Sequence, residues 1–158
     1  MTNDRKNALI TGASSGIGCE LAHVFAKNGY DLVLVARSED RLQALARELT
    51  DSRPVQAQVL AADLSDPKAP DEIFAWFEER TMPLHTLVNN AGFTTFGEFA
   101  VADSERTRDM IQVNVTSVVH LTRLFLSQML THGEGAVLNV SSTAAFLPGP
   151  FMAVYYAS

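Results

Sequence analysis

Between Gly133 and Ser158 the sequence has neither lysine nor arginine, although this stretch closes on two adjacent tyrosines, Tyr155 and Tyr156. A buried tyrosine normally donates one hydrogen bond and does little else. A tyrosine that works as an acid needs a positive neighbour to lower its pKa of roughly 10. Other scarcities narrow the field further. The single cysteine, Cys19, rules out an internal disulfide and fits a reducing compartment. Just inside the first helix, it reads as a small packing residue rather than a reactive thiol. No stretch approaches the roughly 20 apolar residues that a membrane span requires. The opening MTNDRKNALITG contains no apolar signal region. From these readings a cytoplasmic protein without a membrane partner is expected. No basic run relieves the net charge of −6, which argues against a nucleic-acid surface. The histidines at 23, 85, 120 and 132 lack ligand spacing, so no metal site is expected.

What is present is the material of one α/β domain. The 158 residues, 47% hydrophobic and 19% charged, suffice for a sizeable core. Short apolar runs at 7–11, 31–36, 55–62, 85–90 and 136–140 read as strands. Amphipathic stretches separate them. The first runs from Gly16 and closes at Asn28-Gly29; the second spans 38–50 and is opened by Ser38. The third, 66–80, carries Asp66 as its cap and Pro67 in its first position. A long helix covers about 103–131. Strands alternating with helices predict a parallel sheet covered on both faces, a doubly wound, Rossmann-like fold with five strands. The 55–62 strand is the least apolar of the early ones and is expected near an edge. Apolar residues go most of the way round the long helix from Met110 to Leu130, which points to burial on two sides and to a homo-oligomer through this helix.

TGASSGIG follows the first strand and opens the first helix, with glycines at 12, 16 and 18. The free N–H groups and dipole of a helix start attract a pyrophosphate, and glycines let the backbone approach it. The spacing Gly-x-x-x-Gly-x-Gly, together with NNAG at 89–92, resembles the short-chain dehydrogenase/reductases, in the branch with a one-domain subunit. The resemblance covers the whole chain with its motifs in order. It implies a cofactor site built from Gly12, Ser14, Ser15, Gly16, Ile17 and Gly18, with Asn90, Ala91 and Gly92 lining it.

An acid at the end of the second strand would bind the ribose of NAD. Here that place holds Ala36, and Arg37 follows. An arginine fork suits a 2′-phosphate, so NADP(H) is expected over NAD. Asp63 ends the third strand; by resemblance it holds the adenine with Leu64, and by its own chemistry it forms an Asx turn.

Ser141 and Ser142 end the fifth strand, where ligands bind in open α/β sheets. Ser142 precedes Tyr155 by about a dozen residues, as the family's catalytic Ser precedes the Tyr of its Tyr-x-x-x-Lys motif. Tyr156 is the fallback. Asn114, mid-helix among apolar neighbours, needs a partner if buried. By resemblance it distorts the helix and takes part in a proton relay. The resemblance thus implies NADP-dependent interconversion of a small-molecule carbonyl and a secondary alcohol, with Asn114, Ser142 and Tyr155 as catalytic residues. It also implies a longer subunit, with further strands and a lysine next after Ser158, and hence an inactive chain. A catalytically silent nucleotide-binding sensor is the alternative.

Overall fold

The computed structural model describes residues 5–147 and 149–158. The first four residues of the leading segment scanned for a signal region, Met1 to Asp4, and Pro148 lie outside the described residues.

Five parallel strands form one sheet: β1 (Asn7–Thr11), β2 (Asp31–Ala36), β3 (Ala57–Ala61), β4 (Thr86–Asn89) and β5 (Ala136–Asn139). Their order is β3-β2-β1-β4-β5. The chain steps outward from β1 to β3, then returns to start again at β4 on the other side of β1. This reversal between β1 and β4 opens a crevice at the carboxyl ends of the strands. The weakly apolar third strand is indeed an edge.

Both faces of the sheet are apolar because both are covered. On one face, Ala8, Ile10, Leu32 and Leu34 pack against α1 (Gly16–Lys27) and α2 (Glu39–Ser52) through Ala22, Ala26, Leu42 and Leu49. On the other, Leu9, Val33, Val35 and Leu87 meet α3 (Ala69–Glu79) and α5 (Ser117–His132). There Phe77 and Phe125 pack edge to face, with centroids 5.1 Å apart.

The third helix begins later than its sequence pattern indicates. Asp66 and Pro67 belong to a separate turn: the Asp66 carboxylate accepts from the Lys68 N–H at 2.9 Å, and the Asp66 carbonyl from the Ala69 N–H at 3.1 Å. Pro70 takes the first-turn place instead, where a missing N–H costs no helical bond.

The long helix is continuous but not uniform. It comprises α4 (Ser104–Ile111), a π-helical turn (Gln112–Thr116) and α5. Asp103 caps it, its carboxylate accepting from the Glu105 and Arg106 N–H groups at 2.8 and 3.0 Å. Gly133, with φ +78°, ends it in the left-handed conformation. Met110, Val113, Leu121, Phe125 and Met129 are buried, whereas Ile111, Val115, Val119, Leu126 and Leu130 remain exposed. Beyond β5 the structure has a 3₁₀ turn (Thr143–Phe146) and a short helix, α6 (Ala153–Ala157), which carries Tyr155 and Tyr156.

Candidate cofactor-binding and active site

At the switch point the β1–α1 loop and the segment after β4 are locked together. The Thr11 hydroxyl accepts from the Asn90 and Ala91 N–H groups, each at 3.0 Å, and donates to the Val88 carbonyl at 3.2 Å. The Asn90 side-chain amide donates to the Thr11 and Gly12 carbonyls at 2.9 and 3.3 Å. This clasp leaves no room for side chains. Gly12 has φ +66°, and a Cβ there would come within 2.8 Å of the Ala91 Cα. A Cβ on Gly18 would strike the Gly12 carbonyl and the Asn90 amide. The first glycine is thus required by conformation and approach, the third by approach alone.

A cleft of about 920 Å³ opens above this clasp, along the carboxyl ends of all five strands. At one end it is lined by Gly12, Ser14, Ser15, Ile17, Arg37, Asp63 and Leu64, and in the middle by Asn90, Ala91 and Gly92. Asn114, Ser142 and Tyr155 line the other end. Gly16 and Gly18 do not line it. Gly18 lies beneath the loop, and Gly16, with φ +56°, faces open space.

The nucleotide end has the chemistry of a polyanion site. α1 has no acid in its first turn, and Ser15 at its N-cap makes no side-chain capping bond. The dipole and N–H groups of the helix start therefore carry no side-chain counter-partner. Arg37 faces Asp63 at 3.9 Å, with both side chains largely in solvent, so this pair holds the guanidinium only weakly. Asp63 also accepts from the Ser65 N–H and hydroxyl at 3.0 and 2.9 Å, which is the Asx turn expected of it. Ser38 and Arg41 line the cleft beside Arg37. Arg41 lies in the first turn of α2, a short way past Arg37, and reaches the same part of the cleft. A dinucleotide with an extra phosphate fits this donor set.

The other end is organised around Asn114, which sits in the middle of the π turn. Its amide closes on the Phe93 backbone from both sides: Oδ1 accepts from the Phe93 N–H at 3.1 Å, and Nδ2 donates to the Phe93 carbonyl at 3.0 Å. Nδ2 also donates to the Ser158 hydroxyl at 3.1 Å, which in turn donates to the Tyr155 carbonyl at 3.0 Å. The buried polar partner required of Asn114 is therefore a backbone segment, with a further tie to α6. Ser142 accepts from the Ala144 N–H at 3.1 Å, and its own hydroxyl proton remains available to donate. The two tyrosine rings are 6.4 Å apart, nearly perpendicular. Tyr156 packs so closely on Gly149 that a side chain there would meet its phenol.

Beneath Ser142, the Asn89 amide donates to Asn139 at 2.9 Å and to Thr122 at 3.1 Å, tying β4, β5 and α5 together. Among the described residues no cluster of three His, Cys, Asp or Glu side chains is placed to hold a metal ion. No described helix is long and apolar enough to cross a membrane.

The model of the short-chain dehydrogenase family matches residues 6–158. The chain belongs to that family. Among its relatives, a very-long-chain 3-oxoacyl-CoA reductase of Anas platyrhynchos is 37% identical over 156 residues, covering 96% of the chain and 49% of the reductase. A sulfoacetaldehyde reductase of Chromohalobacter salexigens is 40% identical over 152 residues, covering 95% of the chain and 59% of that protein. A short-chain dehydrogenase from Sphingobium yanoikuyae, solved in complex with NADPH, superimposes with a TM-score of 0.90 at 38% identity. That match covers 96% of the chain and 59% of the solved one. This short-chain dehydrogenase chain thus spans about half to three-fifths of the length of these relatives.

Proposed function

We propose that the protein is an NADP(H)-dependent oxidoreductase that interconverts a carbonyl compound and a secondary alcohol. The observation that carries this reading is a single cleft with two chemically distinct ends. One offers a glycine-loop helix start and two arginines, the other a serine and a tyrosine hydroxyl beside Asn114. When bound, the cofactor supplies or takes up the hydride. The chain's own residues do the rest. The Arg37 fork, with Ser38 and Arg41, receives the 2′-phosphate, and an acid that would repel it is absent from position 36. Ser142 and Tyr155 hold the substrate oxygen by hydrogen bonds. The Tyr155 phenol gives its proton to that oxygen in reduction and takes one back in oxidation. Tyr155 is preferred to Tyr156 because Tyr156 is packed against Gly149. Asn114 positions the wall at Phe93 and the end of α6.

The exposed stripe Ile111, Val115, Val119, Leu126 and Leu130 supports a homo-oligomer through the 104–132 helix, with sedimentation as its test. The functional reading is tested by fluorescence titration of the full-length protein with NADPH and NADH. NADPH is expected to bind more tightly. Arg37→Ala should weaken NADPH by roughly tenfold or more, the worth of a charge-assisted pair, and leave NADH unchanged. Equal binding of the two would refute the Arg37 assignment. NADPH binding without turnover across a panel of carbonyl compounds would favour the silent sensor.

A further inference from the structure

The cations lining the cleft fall into two sets. Arg37 and Arg41 stand beside β2, and both belong to the nucleotide end. Arg106, in α4, lines the opposite end with Phe93, Thr94 and Asn114. It also lines a second groove, formed by residues 95–103 and 151–154, so it stands where the two cavities meet.

The Arg106 guanidinium lies over the Phe93 ring, 3.9 Å from its centroid. Stacking occupies the flat face of the group and leaves the N–H donors around its edge unused. Among the described residues no carboxylate pairs with it. Of the acids around it on the helix, Asp103 already accepts two backbone N–H groups as the cap, and neither Glu105 nor Asp109 forms an ion pair with it. The platform under the guanidinium is itself fixed, because Asn114 clamps the Phe93 backbone through its N–H and its carbonyl. A fork-shaped cation is therefore held on a braced aromatic support, facing the cleft, in a protein of net charge −6. An arginine serving only solubility would have acids to pair with and no such support.

We infer that Arg106 is a substrate-binding residue that selects carbonyl compounds bearing an oxyanion, a carboxylate or sulfonate, at the end remote from the reacting carbon. The fork matches such a group with two parallel hydrogen bonds. This assignment rests on the reading of the cleft as a carbonyl reductase site, and the test separates the two.

Binding of 4-oxopentanoate, 4-oxopentane-1-sulfonate and methyl 4-oxopentanoate is measured by calorimetry on the full-length protein, with and without NADPH. The proteins compared are wild type, Arg106→Ala and Arg106→Lys. Wild type should bind at least one of the anions roughly tenfold or more tightly than the neutral ester, as expected for a charge-assisted pair. Arg106→Ala should erase that preference while leaving the affinities for the ester and for NADPH unchanged. Arg106→Lys should restore part of it, since a lysine keeps the charge but loses the fork and the stacking. The anion that gains more identifies the group. If ester and anions bind alike in wild type, if none binds, or if Arg106→Ala weakens ester and anions equally, the assignment is overturned. Failure of NADPH to bind would instead overturn the oxidoreductase reading, while the anion comparison without cofactor still judges Arg106.

Discussion

β4 and β5 lie side by side in register, with Leu87 opposite Val137 and Val88 opposite Leu138, yet they inhabit different environments. Leu87 and Val88 are wholly buried, whereas Leu138 is 39% exposed and Val137 only half-buried. The contrast extends to the two ends of the cleft. The nucleotide end rests chiefly on β1 and β2, which are buried on both faces, and on the closed Thr11–Asn90 clasp, with the edge strand β3 only at its rim. The proposed catalytic end rests on an edge strand and on a few polar ties: Asn89 to Asn139, Asn114 to Phe93 and to Ser158. Dense apolar packing backed by a buried hydrogen-bonded clasp supports the first, and a few individual hydrogen bonds on an exposed edge locate the second. Folding stability and catalytic geometry should therefore be separable by mutation.

The neighbouring leucines give the largest expected effect. Leu87→Ala removes a buried side chain that touches both its own sheet and α5, and should cost about 3 kcal/mol in denaturant unfolding. Leu138→Ala, on the exposed edge, should change stability by no more than about 0.5 kcal/mol. Equal losses at the two positions would mean that β5 is as firmly built in as β4, and the comparison would fail.

Next comes the clasp. Thr11→Val keeps the shape but deletes the hydroxyl that serves Asn90, Ala91 and Val88 together. Two N–H groups would be left without a partner in a position where Thr11 is 2% exposed. A loss of about 2 kcal/mol is expected, with weaker NADPH binding because the Asn90 link to Gly12 loosens. Thr11→Ser should recover most of both. Unfolding and titration on the same samples check this. Unchanged NADPH affinity in a destabilised Thr11→Val would show that the clasp supports the sheet and not the loop.

These two ends also differ in how far the sequence discloses them. The glycine loop is legible because its glycines cluster between a strand and a helix, although the approach that requires Gly12 and Gly18 comes partly from Asn90 and Ala91, far away in sequence. Arg37 is legible because a strand end and a missing acid locate it. Thr11 is not, since its hydroxyl works on residues about 80 positions away. Arg106 looks like any charged residue on a helix surface until the fold brings Phe93 beneath it. Asn114 is visible as a polar misfit, but nothing in its neighbours' side chains announces a π turn. The start of α3 is ambiguous in the sequence for a simpler reason. Asp66-Pro67 and Lys68-Ala69-Pro70 both look like helix openings, and only the backbone bonds of the Asp66 turn decide between them. Tyr155 is legible as a phenol in a segment that resembles a catalytic one, but its companion's packing on Gly149 is a property of the folded chain.

The smallest expected effect lies at the amino ends of the strands, opposite the cleft, where one charged link joins the buried strands to β5. Lys6, just before β1, meets Glu134, just before β5, at 3.0 Å, and His85, just before β4, lies 3.7 Å from the same carboxylate. The hydrogen bond to Lys6, and then its charge, hold the Glu134 carboxyl below its usual range; His85 and His132 add to this. The same partner raises Lys6. A depressed carboxyl contributes stability above its ordinary pKa and loses it as pH falls through the depressed value. A raised amine contributes below its ordinary pKa and loses it only as pH rises through the raised value. The link is therefore complete at neutral pH and fails first on the acid side. Both groups are exposed, so Glu134→Gln should lower Tm by only about 1 °C at pH 7, and the gap should close as pH drops below the carboxyl range and under added salt. A gap that persists in acid would mean that Glu134 holds β5 through packing rather than charge.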